Sequence, residues 1–242
     1  MATRKKTAPK GKKSSNASPP LKKRAGRWML RAVAFACIFV VLLVLLFRFV
    51  NPPTGLYMLS ESRRLGGVQR DWVPLEQIAP VMARAAVAAE DANFCNHWGF
   101  DMQAIRTAIE NGSARGASTI SQQTVKNVYL WHGRSWLRKA LEAGMTPLVE
   151  TLWPKRRIIE VYLNVAEFDE GVFGVGAAAP HYFGVAAADL SATQAARLAA
   201  ILPDPKERSA SRPGDFTRKR TAQIMDGAAT IRADGRAACF ES

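Results

Sequence analysis

The chain has 242 residues, 48% of them apolar, which suffices for one sizeable domain with an appendage and is too short for two full catalytic domains. Its formal net charge of +14 would suit a nucleic-acid binder if it were spread over a folded surface. It is concentrated instead in Arg4, Lys5, Lys6, Lys10, Lys12, Lys13, Lys22, Lys23, Arg24 and Arg27, with no acidic residue and no recognition module among them, so the composition points away from nucleic acid.

Residues 1–27 are rich in Ser, Pro, Gly and Ala and hold no aromatic side chain, which predicts a disordered basic tail. Residues 28–50 are apolar, with Arg31 and Arg48 near the ends and an uncharged run from Ala32 to Phe47 between them. This fits one transmembrane helix of about 20 residues, its arginines snorkelling toward the headgroups. The basic flank predicts a cytoplasmic amino terminus and an exported remainder. A cleaved signal peptide competes with this reading, but the apolar run exceeds a usual signal core of about 7–15 residues and Asn51-Pro52-Pro53 offers no small-residue cleavage site.

Pro52, Pro53 and Gly55 make a stiff exit, and residues 51–71 read as a linker to a domain over 72–242. The domain reads as mainly α with irregular loops. Helices are predicted over Leu75–Glu90, over Asp101–Asn111 closed by Gly112, from a Ser118 or Thr119 cap through Tyr129, over Ser135–Leu152 with a bend at Pro147, over Lys155–Asn164, and over Ser191–Leu202. No sustained alternation predicts a strand. Residues 211–242 are basic and Ala-rich, carry no clear motif, and read as a domain edge. Cys37 falls in the membrane helix. Cys95 and Cys239 share a compartment in which they could pair, yet no spacing argues for it, and the expectation for Cys95 is a buried free thiol.

Four segments carry residue types suited to chemistry. Glu90-Asp91-Ala92-Asn93-Phe94-Cys95-Asn96-His97-Trp98-Gly99-Phe100-Asp101 places two carboxylates after an Ala-rich apolar helix, where burial would raise a carboxyl pKa toward that of a useful general base. In Gly116-Ala117-Ser118-Thr119-Ile120-Ser121-Gln122-Gln123-Thr124-Val125-Lys126-Asn127, small residues and hydroxyls open a helix whose free amides suit an anionic oxygen, with Gln123 and Lys126 one turn on. Arg138-Lys139-Ala140-Leu141-Glu142 puts Arg138 and Glu142 on one helical face. The segment from Lys155 to Asn164 starts an amphipathic helix with three cations. Taken singly, each has a bland explanation: a solvated helix end, a capped helix, a surface ion pair, a basic helix start.

In this order and spacing the four segments resemble the glycosyltransferase family 51 domain, the peptidoglycan glycosyltransferases. The resemblance continues through Gly171-Val172-Phe173-Gly174-Val175-Gly176-Ala177-Ala178-Ala179 and Tyr182-Phe183-Gly184, covering residues 72–205. Ala166-Glu167-Phe168 with the following glycine-rich run is most similar to the monofunctional biosynthetic transglycosylase branch. No serine is followed three positions later by lysine, so no transpeptidase is expected.

The resemblance implies a lysozyme-like glycosyltransferase fold at the inner membrane, its catalytic domain periplasmic. It implies lipid II as acceptor and a lipid-linked growing glycan as donor, joined by attack of a GlcNAc 4-hydroxyl with inversion and release of undecaprenyl pyrophosphate. Glu90 matches the family's base. Lys126, Arg138 and Lys155 match cationic positions that hold the leaving pyrophosphate, Lys139 is counted with them, and Thr119 and Gln123 are expected as neutral donors. Glu142 matches a second essential glutamate that orients the basic groups or a divalent ion. Asp91, Phe94, His97 and Asn164 are expected to support the substrate-binding site; His97 is weighed as a catalytic acid and assigned to shaping the Glu90 loop. No cofactor is required, assistance by Mg2+ or Mn2+ through the pyrophosphate is left open, and the sequence shows no closed metal site. The expected partners are the membrane and proteins of the division or elongation machinery. Tyr129, Leu130 and Trp131 read equally as core or as a membrane-facing cluster. Two rival readings are a lysozyme-like lytic transglycosylase and a non-catalytic division scaffold.

Overall fold

The structure is a computed structural model that describes residue 3 and residues 21–110, 112 and 118–241; most of the expected basic tail lies outside these residues. The chain divides into two units, residues 1–42 and residues 43–242. Helix α1, Leu21–Phe49, begins within the expected tail, so residues 21–27 are helical where disorder was anticipated. Its stretch Ala25–Phe49 is long and apolar enough to cross a membrane, and only 11% of its most apolar window is buried by protein.

In the second unit the last turn of α1 is held by side chains from later helices. The Trp153 indole donates to the Val44 carbonyl at 2.7 Å, and the Arg157 guanidinium donates to the Phe47 and Val50 carbonyls at 3.1 and 2.9 Å. The Phe47 and Val50 carbonyls are of the kind that a helix end leaves without partners. After the Pro52-Pro53 exit comes α2, Leu56–Leu65, in what was read as linker. Gly55 just before it is needed for space, since a Cβ there would lie 2.3 Å from the Asn127 carbonyl oxygen.

The helix expected over Leu75–Glu90 is two elements. A 3-10 turn, Leu75–Gln77, ends at extended residues, and α3, Pro80–Glu90, starts on a proline at its first position. Pro80 favours extended backbone at Ala79 and supplies the fixed φ of a helix start, which is why the break falls there. Next come α4, Met102–Glu110, and α5, Ile120–Tyr129. Thr119 caps α5 in a reciprocal box with Gln122, as a Thr followed three positions later by Gln predicts. Then follow α6, Trp136–Leu152, capped by Ser135 with Pro147 inside it, and α7, Lys155–Val165.

A small sheet and four more helices complete the unit. Strands β1 (Gln69–Arg70), β2 (Glu167–Asp169) and β3 (Val172–Phe173) form a sheet of order β1-β3-β2, with β1 parallel and β2 antiparallel to β3. Runs this short show no alternation, so the sequence reading missed them. Helices α8 (Val175–Phe183), α10 (Asp215–Ala233) and α11 (Ala238–Glu241) were also not anticipated, whereas α9 (Ala192–Ile201), capped by Ser191, was.

The core has two layers of contact. Helices α3, α9 and α10 pack together through Met82, Ala85, Ala86, Leu198, Ala199, Ile224, Ala228 and Ile231, all buried. Small residues allow the close approach: a Cβ on Gly227 of α10 would sit 3.1 Å from the Ala88 Cβ. Helix α5 packs between α6 and α7. The carboxyl end of α3 and the amino end of α5 meet where these layers join, through a buried bond from the Ile120 amide to Asp91.

Candidate active site

Glu90 is the last residue of α3, and the loop after it is heavily buttressed. Asp91 is buried; one carboxylate oxygen pairs with His97 Nε2 at 2.8 Å and the other accepts the Ile120 amide at 3.0 Å. The Gly99 amide donates to His97 Nδ1 at 3.1 Å, so Nε2 carries the proton that faces Asp91. Both ring nitrogens are therefore engaged, and His97 shapes the loop rather than serving as an acid. Gly99 turns with φ +84°, and a Cβ there would lie 2.5 Å from Thr146 Cγ2, so no other residue fits the turn.

Several of the residues singled out in the sequence are engaged by partners within the protein. The Thr119 hydroxyl donates to the Gly99 carbonyl at 2.7 Å, and Thr119 is buried, so it offers no free donor to a substrate. Lys155 donates to the His97 carbonyl and to Glu150, both at 2.8 Å, and its ammonium lies 4.4 Å from the Phe94 ring centre. It braces the loop instead of presenting an open cation. Phe94 is fully buried against Phe240. Asn164, also fully buried, accepts the Val73 amide at 2.8 Å and donates to the Val73 and Glu160 carbonyls at 2.9 and 2.8 Å. With its amide group saturated, it pins residue 73 to α7. Phe94, His97, Lys155 and Asn164 thus hold the frame, while Asp91 and Thr119, bonded within the protein, also line the cleft beside Glu90.

Glu90, Gln123 and Lys126 face the clefts, with Arg138, Lys139 and Glu142 behind Lys126 in the same electrostatic cluster. Gln123 Nε2 donates to Glu90 Oε2 at 2.8 Å. Burial pushes the Glu90 carboxyl pKa up, partly countered by the Gln123 hydrogen bond and the charges of Arg220 and Lys126. Lys126, one turn after Gln123, lies within electrostatic reach of both Glu90 and Glu142; burial holds its pKa down, and neighbouring Arg138 and Lys139 push the same way. Glu142 is buried and divides its carboxylate between two cations, Arg138 Nη1 at 2.6 Å and Lys139 Nζ. Each oxygen thereby meets one cation, so Glu142 holds the two basic groups in place. Among the described residues no group of three or more His, Cys, Asp and Glu side chains could hold a metal.

Glu90 opens on a cleft of about 250 Å³ that Asp91, Asn93, Asp101 and Ser118 also line. Gln123 and Lys126 line a second cleft of about 400 Å³, walled by Tyr57, His132, Tyr162, Glu167 and Lys206. The Gln123 amide stands between the two.

Three contributors escaped the sequence reading. Arg220 of α10 donates to the Ala89 carbonyl at 2.9 Å and adds positive charge beside Glu90. Its helix could have been found from Thr217, Thr221, Ile224, Ala228 and Ile231, the buried residues that recur at helical spacing. Glu150 accepts from Lys155 and Ser121, with no signal beyond its place in the apolar half of α6. Cys95 and Cys239 form a disulfide, which corrects the expectation of a free thiol. Their separation of 144 residues hid the pairing. Tyr129 and Leu130 also resolve toward core: Leu130 is buried, and Tyr129 packs against Phe47 and Trp153.

Fold and site together define a class: a mainly α domain with an activated carboxylate beside a cluster of cations, suited to moving a proton while an anionic group departs. The profile of the family described as Transglycosylase matches residues 59–229. Three relatives are each named biosynthetic peptidoglycan transglycosylase. The protein from Jannaschia sp. (strain CCS1) is 58% identical over 235 residues, covering 97% of this chain and 98% of that protein. Those from Caulobacter vibrioides and Rhodospirillum centenum are 46% and 47% identical, covering 88% of this chain and 97% and 95% of their own lengths. The chain belongs to the transglycosylase family, whose domain has a lysozyme-like glycosyltransferase fold.

Proposed function

We propose that the chain is a monofunctional peptidoglycan glycosyltransferase that polymerises lipid II into linear glycan strands. The observation that carries this reading is the pairing of Glu90, whose pKa is pushed up by burial, with Lys126, a cation that makes no hydrogen bond among the described residues. A hydroxyl is a weak nucleophile at neutral pH, and a positioned base taking its proton is worth about 10²–10⁴-fold in rate. The acceptor's 4-hydroxyl enters the Glu90 cleft. The donor occupies the Lys126 cleft, with Lys126, Arg138 and Lys139 stabilising the charge that gathers on the departing pyrophosphate.

Glu142 fixes the positions of Arg138 and Lys139. A divalent ion, in this reading, arrives with the pyrophosphate. The cationic cluster favours pyrophosphate departure over hydrolysis of finished glycan, for which two carboxylates alone suffice.

The same proposal places the enzyme in the cytoplasmic membrane through α1, amino terminus inside, with the domain on the outer face. Trp98, Met102 and Ile109, on and before α4, and Trp136, Leu137 and Leu141 of α6 are exposed. We assign them to the headgroup region, where they meet substrates held by their lipid tails; confinement of enzyme and substrate to one surface raises their encounter rate. Partners in the division or elongation machinery are part of this proposal.

The test is polymerisation of purified lipid II by the full chain in lipid vesicles, alongside incubation with finished sacculi. Polymer from lipid II with no release from sacculi is expected. Release from sacculi without polymer would overturn the reading.

A further inference from the structure

The end of α3 and the loop after Glu90 are gripped at three points by the carboxyl-terminal part of the chain. Arg220 Nη2 donates to the Ala89 carbonyl at 2.9 Å, Arg236 Nη1 donates to the Ala92 carbonyl at 3.0 Å, and Cys95 is bonded to Cys239. These contacts fall three residues apart, on either side of Glu90 and along the loop it opens. Phe240, next to Cys239, is buried with its ring centre 6.3 Å from that of Phe94. The far side of the segment is held too: Arg156 donates to the Phe240 carbonyl at 3.0 Å, and Arg84 pairs with Glu241. Arg236, Cys239 and Phe240 lie beyond residues 59–229, the span matched by the family profile, whereas Arg220 lies within it.

We propose that residues 234–241 are a positioning clamp for the Glu90 loop, set by the oxidation state of the Cys95–Cys239 pair. A carboxylate that must meet a hydroxyl proton tolerates little displacement, and a misplacement of about 1 Å costs on the order of 100-fold in rate. With the bond formed, the segment cannot lift from the loop. A dithiol reductant breaks the S–S bond; two electrons and two protons leave two thiols, and the reductant becomes a cyclic disulfide. The grip of residues 234–241 on the loop then rests on one hydrogen bond from Arg236 and on the Phe240–Phe94 contact, while Arg220 still holds Ala89 and Arg156 and Arg84 still hold the end of the segment. Neither cysteine is fully buried, so a small reductant has access to the pair. The consequence for turnover rests on the proposed glycosyltransferase activity; the mechanical clamp does not.

The experiment uses the full chain in vesicles in four forms: oxidised, reduced and alkylated, Cys239→Ser, and Cys95→Ser/Cys239→Ser. Two readouts are taken below the melting midpoint of each form: amide hydrogen exchange over residues 92–99, and kcat and KM for polymer formation from lipid II. Breaking the bond is expected to speed exchange in that loop about tenfold and to lower kcat about tenfold, with KM within about twofold, because orientation and not binding is lost. Reoxidation of the reduced, unalkylated protein restores both values. The reduced natural sequence keeps the test alive if a serine variant fails to fold. Unchanged exchange, or faster exchange with kcat intact, would overturn the clamp. Exchange is measured without substrate, so a lack of polymer in every form would refute the functional reading while exchange still decides the clamp.

Discussion

Replacing Gln123 with leucine keeps the volume of the side chain and deletes the one hydrogen bond from Gln123 to the Glu90 carboxylate, at 2.8 Å. That bond favours the ionised form, opposing the burial that pushes the Glu90 pKa up. A hydrogen bond to a charged group contributes about 1.5–3 kcal/mol. Its loss therefore raises the Glu90 pKa further, and at pH values below the acid limb it cuts the ionised fraction by roughly ten- to hundredfold. A base works when deprotonated, so the acid limb of the kcat/KM profile should move to higher pH in Gln123→Leu, while the rate on the alkaline plateau changes little. The assay is initial polymerisation rate against pH for both proteins, with intact folding checked by circular dichroism. A uniform drop at every pH, with the limb unmoved, would show that Gln123 serves substrate binding and does not tune the base.

Lys126→Met should leave folding unchanged, because no hydrogen bond among the described residues is lost, and should lower kcat by about 10²–10³-fold, as removal of a transition-state donor does. Steady-state rates with a melting curve check both halves. Asn164→Ala should do the reverse: orphaning the buried Val73 amide and carbonyl costs about 2–4 kcal/mol, read by chemical denaturation, while the folded protein keeps its kcat to within about twofold. Glu90→Gln should stabilise. A carboxyl with a raised folded pKa contributes stability below the ordinary carboxylate range and loses it as pH rises through the folded value. The variant should therefore melt above the parent at neutral pH, by ~0.5–2 kcal/mol, and level with it in acid.

The elements most legible in the sequence were those set by local chemistry. The helix starts read at Ser118 or Thr119, at Ser135 and at Ser191 coincide with hydroxyl caps at Thr119, Ser135 and Ser191, because such a cap acts on amides two or three residues away. Glu90, Gln123 and Lys126 were legible as residues, and the structure brings them to the walls of neighbouring clefts. The division of labour among the others was not. Lys155 reads as a free cation until Glu150 and the His97 carbonyl are seen to occupy it, and Asn164 finds its partner Val73 91 residues away. The carboxyl-terminal grip was invisible for the same reason, since long-range pairing leaves no periodic trace. Helix α10 hid because two of its buried positions are threonines, Thr217 and Thr221, whose hydroxyls bond back along the chain or pack into the core.

The role of Glu90 as the base of a lipid II polymerase is tested by comparing the full chain with Glu90→Gln in vesicles loaded with lipid II. Polymer is expected from the parent and a rate at least about 10²-fold lower from the variant, with the variant folded and membrane association equal. Equal polymerisation by the two proteins would contradict it.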